Sequence, residues 1–315
     1  MAIVAPPAAP AARPARGGRP RGPSTLRSRA WIGFLLPFLV PFVLFYLVPI
    51  GYAIAQSLTK TVRSGGLFGE TSTTFAGLEQ YGRVVTDDAF LSGLGRVLLF
   101  GVVQVPVMLG LALVLALLID STVARLKRTF RIAFFLPYAI PGVIAALMWA
   151  FLYSPQLSPL VGLLGDAGLE VSFLGSGTIL WSIANVVTWT YAGYNMLIIY
   201  AALQAIPQSV YEAAKVDGAG GLRVAWSIKI PLVLPALVLT TVFSIIGTLQ
   251  LFTEPVVFRA ISTNVPSGYT PNLLAYTTAS GNNYPLAAAM AVVLAVGTFI
   301  LSFTFLRATT KRAGL

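Results

Sequence analysis

The chain has 315 residues, of which only 10% are charged, with no cysteine, no histidine and a net charge of +11; its mean hydropathy is +0.82. That balance lies outside the range of soluble globular domains and marks an integral membrane protein, while the missing Cys and His exclude disulfides, thiol chemistry, Cys-attached haem and the usual zinc sites. The cations are divided among short segments between apolar runs rather than gathered on one face, which argues against a nucleic-acid partner.

Residues 1–29 are rich in Ala, Pro and Gly, carry Arg13, Arg16, Arg19, Arg21, Arg27 and Arg29, and contain no acid. Such a segment buries no core and is predicted to be a disordered basic tail. A basic stretch ahead of an apolar one also suits a signal peptide, but the run from Trp31 to Ala55 is longer than a signal h-region and no small-residue cleavage site follows it. It is therefore read as a membrane span. Crossing about 30 Å of hydrocarbon takes about 20 apolar residues, and the segments 31–56, 94–119, 132–153, 177–203, 232–253 and 285–306 meet that requirement. An open sheet is excluded in lipid because its edge groups would stay unpaired, so the expected fold class is all-α, a polytopic bundle of six transmembrane helices. Pro37, Pro41 and Pro49 predict kinks in the first span.

Lys and Arg set the orientation. With the N-terminus in the cytoplasm, the inner side holds the six tail arginines, Arg125, Lys127, Arg128, Arg131, Lys215, Arg223, Lys229, Arg307, Lys311 and Arg312. The outer side keeps Lys60, Arg63, Arg83, Arg96 and Arg259, together with most of the acids. Both termini are thus expected in the cytoplasm. The outer loops 57–93, 154–176 and 254–284 are too short for folded domains of their own. The expected organisation is a tail over 1–29, one transmembrane domain over 30–310 containing a cytoplasmic loop 204–231, and a short tail over 311–315.

The cytoplasmic loop carries the most complete punctuation. Ser209-x-x-Glu212 after Pro207 has the capping-box pattern and predicts a helix start. Val210, Ala213 and Ala214 share one face, and Gly218, Gly220 and Gly221 supply the stop. A second short helix fits before Pro231, with Leu222, Ala225, Trp226 and Lys229 on one stripe. One reading is an interfacial hairpin on the inner leaflet, anchored by Trp226 and Lys229. The other is docking into a protein cleft, since Glu212 and Asp217 beside the alanine face suit an anionic leaflet poorly.

Glu212-Ala213-Ala214, three residues, Gly218, nine residues and Ile228-x-Ile230-Pro231 resembles the EAA loop of permease subunits of ABC importers that work with a substrate-binding protein. Ile230 stands where that family usually has Leu. Asp217-Gly218-Ala219 matches the form common in carbohydrate permeases. Phe75-x-Gly77-Leu78-x-x-Tyr81, Gln250-Leu251-Phe252-Thr253-Glu254-Pro255 and Tyr269-Thr270-Pro271-Asn272-Leu273 resemble sugar permeases of the maltose type. The likeness spans roughly residues 30–310 and implies a type I ABC importer permease fold in a bacterial or archaeal cytoplasmic membrane. It also implies that Glu212, Ala213, Ala214, Asp217, Gly218, Ala219, Ile228 and Pro231 form a coupling element seated on a cytoplasmic ABC ATPase dimer. The partners implied are a second permease subunit of different sequence and an extracytoplasmic solute-binding protein. ATP and Mg would be held by the ATPase subunits and no cofactor by this chain.

The residues agree that the chain is not itself an ATPase. A P-loop needs a Gly-rich turn ending in Gly-Lys-Ser/Thr, and the only lysine followed by Ser or Thr, Lys60, is preceded by Thr59. For a substrate path, span four offers Asn185, Trp189, Tyr191, Tyr194 and Asn195, and span five Ser244, Thr248, Gln250, Thr253 and Glu254, the densest polar and aromatic groups in the spans. Counting from the EAA loop, the resemblance brings Gly193, Tyr194, Ser244, Gly247, Thr248, Gln250 and Leu251 near positions the maltose-type family uses. Interfacial anchoring and helix–helix hydrogen bonding are the alternative for each residue. Glu254 is read as a water-accessible residue at an outer helix end. The function expected is a permease subunit of an ABC importer carrying a disaccharide or oligosaccharide. Glycerol phosphate, a polyamine or an oligopeptide are the alternative cargoes, although phosphate calls for Arg or Lys in the cavity and the span centres have none. A stand-alone channel or secondary transporter fits less well, because the span centres also lack a titratable group for proton coupling.

Overall fold

A computed structural model of the chain describes residues 30–64, 70–121 and 125–313. The expected basic tail over 1–29 and the last two residues of the C-terminal tail lie outside them. The chain divides into two units, one ending at Pro49 and one beginning at Ile50.

The first unit contains α1 (Ala30–Phe42) and a five-residue π turn, Val43–Leu47, after which α2 (Val48–Ser57) carries the chain into the second unit. Phe38, Phe42 and Tyr46 stack at successive i, i+4 positions, with centroids 5.7 and 5.6 Å apart. In the π turn the Val48 amide bonds Val43 O, two residues ahead of Pro49. A wider turn relieves the clash that a proline ring makes with the carbonyl four residues back. The same arrangement recurs at Ala225–Lys229, two residues ahead of Pro231, where the Ile230 amide bonds Ala225 O.

The second unit opens with an antiparallel hairpin, β1 (Thr59–Ser64) and β2 (Glu70–Phe75), paired from Thr59↔Phe75 to Ser64↔Glu70. It then runs through α3 (Glu79–Thr86), α4 (Asp88–Asp120), α5 (Lys127–Ala139), α6 (Gly142–Tyr153), α7 (Pro159–Asp166), α8 (Ile179–Gln204), α9 (Gln208–Val216) and α10 (Gly221–Val224). The second π turn leads into α11 (Ile230–Leu249), followed by α12 (Thr253–Arg259), α13 (Pro271–Ser280) and α14 (Tyr284–Ala313). An isolated hairpin is marginal in water, and this one is fastened by the Phe75–Tyr81 segment. Tyr81 Oη lies 2.5 Å from Ser57 Oγ, Gln80 donates to Thr59 O at 3.2 Å, and Lys60 pairs with Glu79 at 2.6 Å.

Among the described residues five helical stretches are long and apolar enough to span a membrane, and α5 with α6 makes a sixth only as a bent pair. The sequence predicts 132–153 as one continuous span, whereas the chain turns through 94° between Ala139 and Gly142. Pro141 disfavours helical backbone at the residue before it, and Ile140 and Pro141 are both extended. The other correction concerns Pro231. The predicted separate helix before it is the start of span five, because α10, the π turn and α11 form one helical run.

Helix packing in lipid depends on close contact rather than on apolar burial as such, which favours small residues at the seams. Ala112 and Ala116, one turn apart on α4, sit in a cluster with Met196, Ile199 and Leu203 of α8 and Val233 of α11. Toward the α4 N-terminus a larger cluster joins Phe100, Ile179, Ile183, Phe258 and Leu273. α4 and α8 thus form the central pair, and what lies between them and α11 is the site.

Candidate functional site

A cavity of about 240 Å³ lies where α4, α8, α11 and α12 meet. Span five is interrupted there: α11 stops at Leu249, Gln250 to Phe252 leave the helix, and α12 begins at Thr253. Irregular backbone at membrane depth persists only where it lines a cavity or finds partners. Thr270 supplies one, since its hydroxyl donates to Leu251 O at 3.1 Å while accepting from the Leu273 amide at 3.3 Å as the N-cap of α13. The Tyr269–Leu273 segment picked out in the sequence is therefore a brace behind the break. Arg96 completes it, donating to Tyr269 O at 2.7 Å with its guanidinium 4.5 Å from the ring centroid.

Of the candidate path residues, Tyr194, Asn195, Ser244, Gly247, Thr248, Gln250, Leu251 and Glu254 border this cavity. Asn185, Trp189 and Gly193 do not. Asn185 donates to Tyr153 Oη at 2.7 Å, and Trp189 packs edge-on against Trp149. Gly193 is where α8 crosses α5: a Cβ there would lie 1.8 Å from Phe134 O. Its role is close helix approach, with no room for any side chain. Glu254 is 8% exposed and borders the cavity, so the expected water-accessible helix end is a buried wall residue.

The cavity also contains groups that the sequence reading omitted. Gln104, on α4, is buried; its Nε2 lies 3.3 Å from Thr188 Oγ1 and 3.4 Å from Met108 Sδ, and its Oε1 has no partner among the described residues. Turning the amide over leaves one polar end unpaired either way, because Thr188 offers one hydroxyl and Met108 only a weak acceptor. Within a 33-residue apolar helix a single Gln reads as ordinary helix–helix glue, and only its place in the cavity lining and its unpaired amide end mark it out. Tyr191 and Thr253, both expected from the sequence, border the space as well, and Tyr138 of α5, which was not, stacks on Tyr194 with centroids 4.6 Å apart. No Lys or Arg lines the cavity among the described residues. Aromatic faces, hydroxyls, amides and one carboxylate make a wall suited to a hydroxyl-rich ligand without a strong negative charge.

The loop 204–231 forms the second half of the site. α9 starts at Gln208 with Pro207 as N-cap, and no side chain caps it, so the predicted Ser209–Glu212 capping box does not form. Pro207 has already set the helix start two residues earlier. The stop is as predicted: Gly218 adopts φ +72°, its amide bonds Lys215 O at 3.0 Å, and the Ala219 amide bonds Ala214 O at 2.9 Å, the paired bonds of a Schellman cap. The face expected from Val210, Ala213 and Ala214 divides. Ala214 is buried against the protein, while Glu212, Ala213 and the 89% exposed Val216 point away from it. Leu222 and Trp226 at the start of the next helix are exposed as well. Tyr211 faces inward, and burial, with the nearby Asp120 carboxylate second, holds its phenol above the ordinary tyrosine range.

Comparison with known proteins supports one family. Residues 108–309 match the model described as "Binding-protein-dependent transport system inner membrane component". The chain is 32% identical to the sn-glycerol-3-phosphate transport system permease protein UgpA of Agrobacterium fabrum, over 88% of this chain and 93% of the relative. It is 31% identical to the lactose transport system permease protein LacF of Rhizobium radiobacter, over 87% and 93%, and 30% identical to the diacetylchitobiose uptake system permease protein NgcF of Streptomyces coelicolor, over 91% and 85%. In fold it resembles a chain of a bacterial ABC transporter involved in import of the acidic polysaccharide alginate, with a TM-score of 0.77 at 19% identity, covering 90% of this chain and 96% of that one. A bundle of several apolar helices long enough to span a membrane accords with these likenesses, and the chain belongs to the family of binding-protein-dependent transport system inner membrane components.

Proposed function

We propose that this chain is the permease subunit of an ATP-driven importer that passes a neutral disaccharide or oligosaccharide, delivered by an extracytoplasmic binding protein, through the cavity between α4, α8 and α11. The observation that carries the reading is the cavity wall, with Tyr191, Tyr194, Asn195, Ser244, Thr248, Gln250 and the orphaned amide of Gln104 but no cation. Lactose and diacetylchitobiose permeases among the relatives support a sugar cargo. The glycerol-phosphate permease relative favours a second reading. Against that reading, a phosphate in a low-dielectric cavity needs cationic partners, and among the described residues the one charged residue bordering this cavity is Glu254.

In this proposal both termini and the loop 204–231 face the cytoplasm, and residues 30–310 act as one transmembrane permease domain. The loop docks on an ATPase dimer through Glu212, Ala213 and Val216 on α9 and Leu222 and Trp226 beyond Gly218. Ala214 packs behind that element, and Asp217, Ala219, Ile228 and Pro231 complete it. A second permease completes the pathway, and ATP and Mg bind the ATPase subunits, so no catalytic residue is assigned to this chain. ATP hydrolysis by the reconstituted complex tests the cargo. Stimulation by binding protein loaded with a neutral oligosaccharide, and not with sn-glycerol 3-phosphate, is expected. The reverse selectivity would reject the sugar reading.

A further inference from the structure

The loop end of the bundle holds a second polar centre with no part in the cavity. Asp120 ends α4. Its Oδ1 accepts from Gln204 Nε2 at the end of α8, at 2.6 Å, and its Oδ2 is paired with Lys229 Nζ, the last residue of the π turn that leads into α11. Its main-chain carbonyl accepts from Lys127 Nζ, at the first residue of α5, at 3.4 Å. The Lys229 ammonium also lies 5.3 Å from the centroid of the Tyr211 ring on α9. One residue thus joins the ends of four membrane helices and, through Lys229, the helix that the reading above docks on the ATPase.

Burial distinguishes this pair. The Asp120 and Lys229 side chains are 9% and 15% exposed, whereas in the other ion pair of the described residues Lys60 and Glu79 are 39% and 44% exposed. An exposed pair exchanges its partner for water at little cost, but separating desolvated charges leaves each uncompensated. Asp120 and Lys229 themselves border an opening of about 910 Å³, together with Leu203, Gln208, Tyr211 and Lys215. Packing between α9 and the bundle is therefore incomplete, and a push on α9 alone could be absorbed in that space.

We propose that Asp120 and Lys229 are positioning residues that carry displacement of α9 into the spans. When α9 moves, Lys229 moves with it, and the buried pair draws the ends of α4 and α8 along instead of letting the opening collapse. This rests on the proposed docking of α9 on an ATPase.

The test compares Asp120→Asn, Lys229→Met and the charge-exchanged double variant Asp120→Lys/Lys229→Asp in the full reconstituted complex. Substrate taken up per ATP hydrolysed is measured, normalised to assembled complex. Each single variant is expected to assemble and hydrolyse ATP but to lose about five- to tenfold or more in uptake per ATP, the range of an ordinary coupling free energy. The double variant is expected to recover most of that loss. Single variants that keep their uptake per ATP would overturn the proposal, as would a double variant no better than the singles. Failure of every variant to assemble would equally overturn it, making the pair a structural brace. If the unaltered complex shows no ATP-dependent uptake, the functional reading fails instead, and this result is distinct from all the others.

Discussion

Two glycines that the sequence reading groups together should behave in opposite ways. Gly193 and Gly247 both fall near the expected substrate path, but only Gly247 borders the cavity, and a Cβ on it would meet nothing within 4 Å. A Cβ on Gly193 would lie 1.8 Å from Phe134 O and 2.5 Å from Phe134 C, both backbone atoms. Ordinary contact begins at 3.4 Å, so α8 and α5 would have to part by about 1.6 Å, against a 6–12 wall that does not yield on that scale. Overpacking of this kind costs about 1–3 kcal/mol, and a rigid backbone neighbour puts Gly193→Ala near the upper end. At roughly 1.5 °C per kcal/mol, from about 2.1 cal/mol/K of unfolding entropy per residue over 315 residues, its thermal midpoint in detergent should fall by about 4–5 °C. Gly247→Ala should leave the midpoint within about 1 °C and act on cargo handling, raising the KM of transport. A destabilised Gly247→Ala, or a Gly193→Ala with an unchanged midpoint, would refute the separation of packing from path.

Gly218→Ala has room for the methyl but must hold φ +72°, at a cost of about 1–2 kcal/mol. It should weaken ATPase co-purification, while Gly220→Ala, at φ −69°, should not, and equal behaviour of the two would contradict the Schellman cap. Gln104→Leu removes an amide with one polar end unpaired, so the fold should tolerate it. Cargo KM should rise about two- to tenfold, the worth of one neutral hydrogen bond; an unchanged KM would return Gln104 to helix packing. Tyr211→Phe deletes a buried hydroxyl that has no partner among the described residues and keeps the ring beneath Lys229. Its thermal midpoint should be unchanged or slightly raised, and a clear loss would reveal a partner for that hydroxyl. The hydrogen bond from Lys60, aided by its charge and by Arg83, holds Glu79 below its ordinary value. Its folded pKa being lowered, the pair contributes above the ordinary glutamate range and is lost as pH falls through the lowered value. Carboxyl NMR should find that midpoint low and Lys60→Gln should raise it; an unmoved midpoint would dismiss the pair.

The sequence carried the spans because twenty uncharged apolar residues admit few alternatives, and it carried the stop of α9 because Gly218 is needed for a left-handed turn. It carried less where a local rule met tertiary structure. Pro141 announces a disturbance in span three, but the bend follows from two consecutive extended residues, Ile140 and Pro141, that no periodicity reveals. Ser209 and Glu212 form a correct capping pattern that goes unused because Pro207 starts the helix earlier. The hairpin has a faint signal in Thr59, Thr61, Thr71, Thr73 and Thr74, obscured by the loop around it. Most of the cavity wall was legible on α8 and α11. The parts that were not, Gln104 on the wall and Gly193 off it, depend on which face of a uniformly apolar helix meets which neighbour. Asp120 and Lys229 are 109 residues apart, and only the fold brings them together.

The most direct test of the account is uptake of a labelled neutral oligosaccharide into proteoliposomes containing the whole complex, with binding protein outside and ATP inside. Uptake should require both ATP and binding protein, should survive an excess of sn-glycerol 3-phosphate, and should be lost when Glu212→Ala and Gly218→Pro detach the loop without preventing insertion. Uptake by this chain alone, or full uptake in the loop variants, would contradict it.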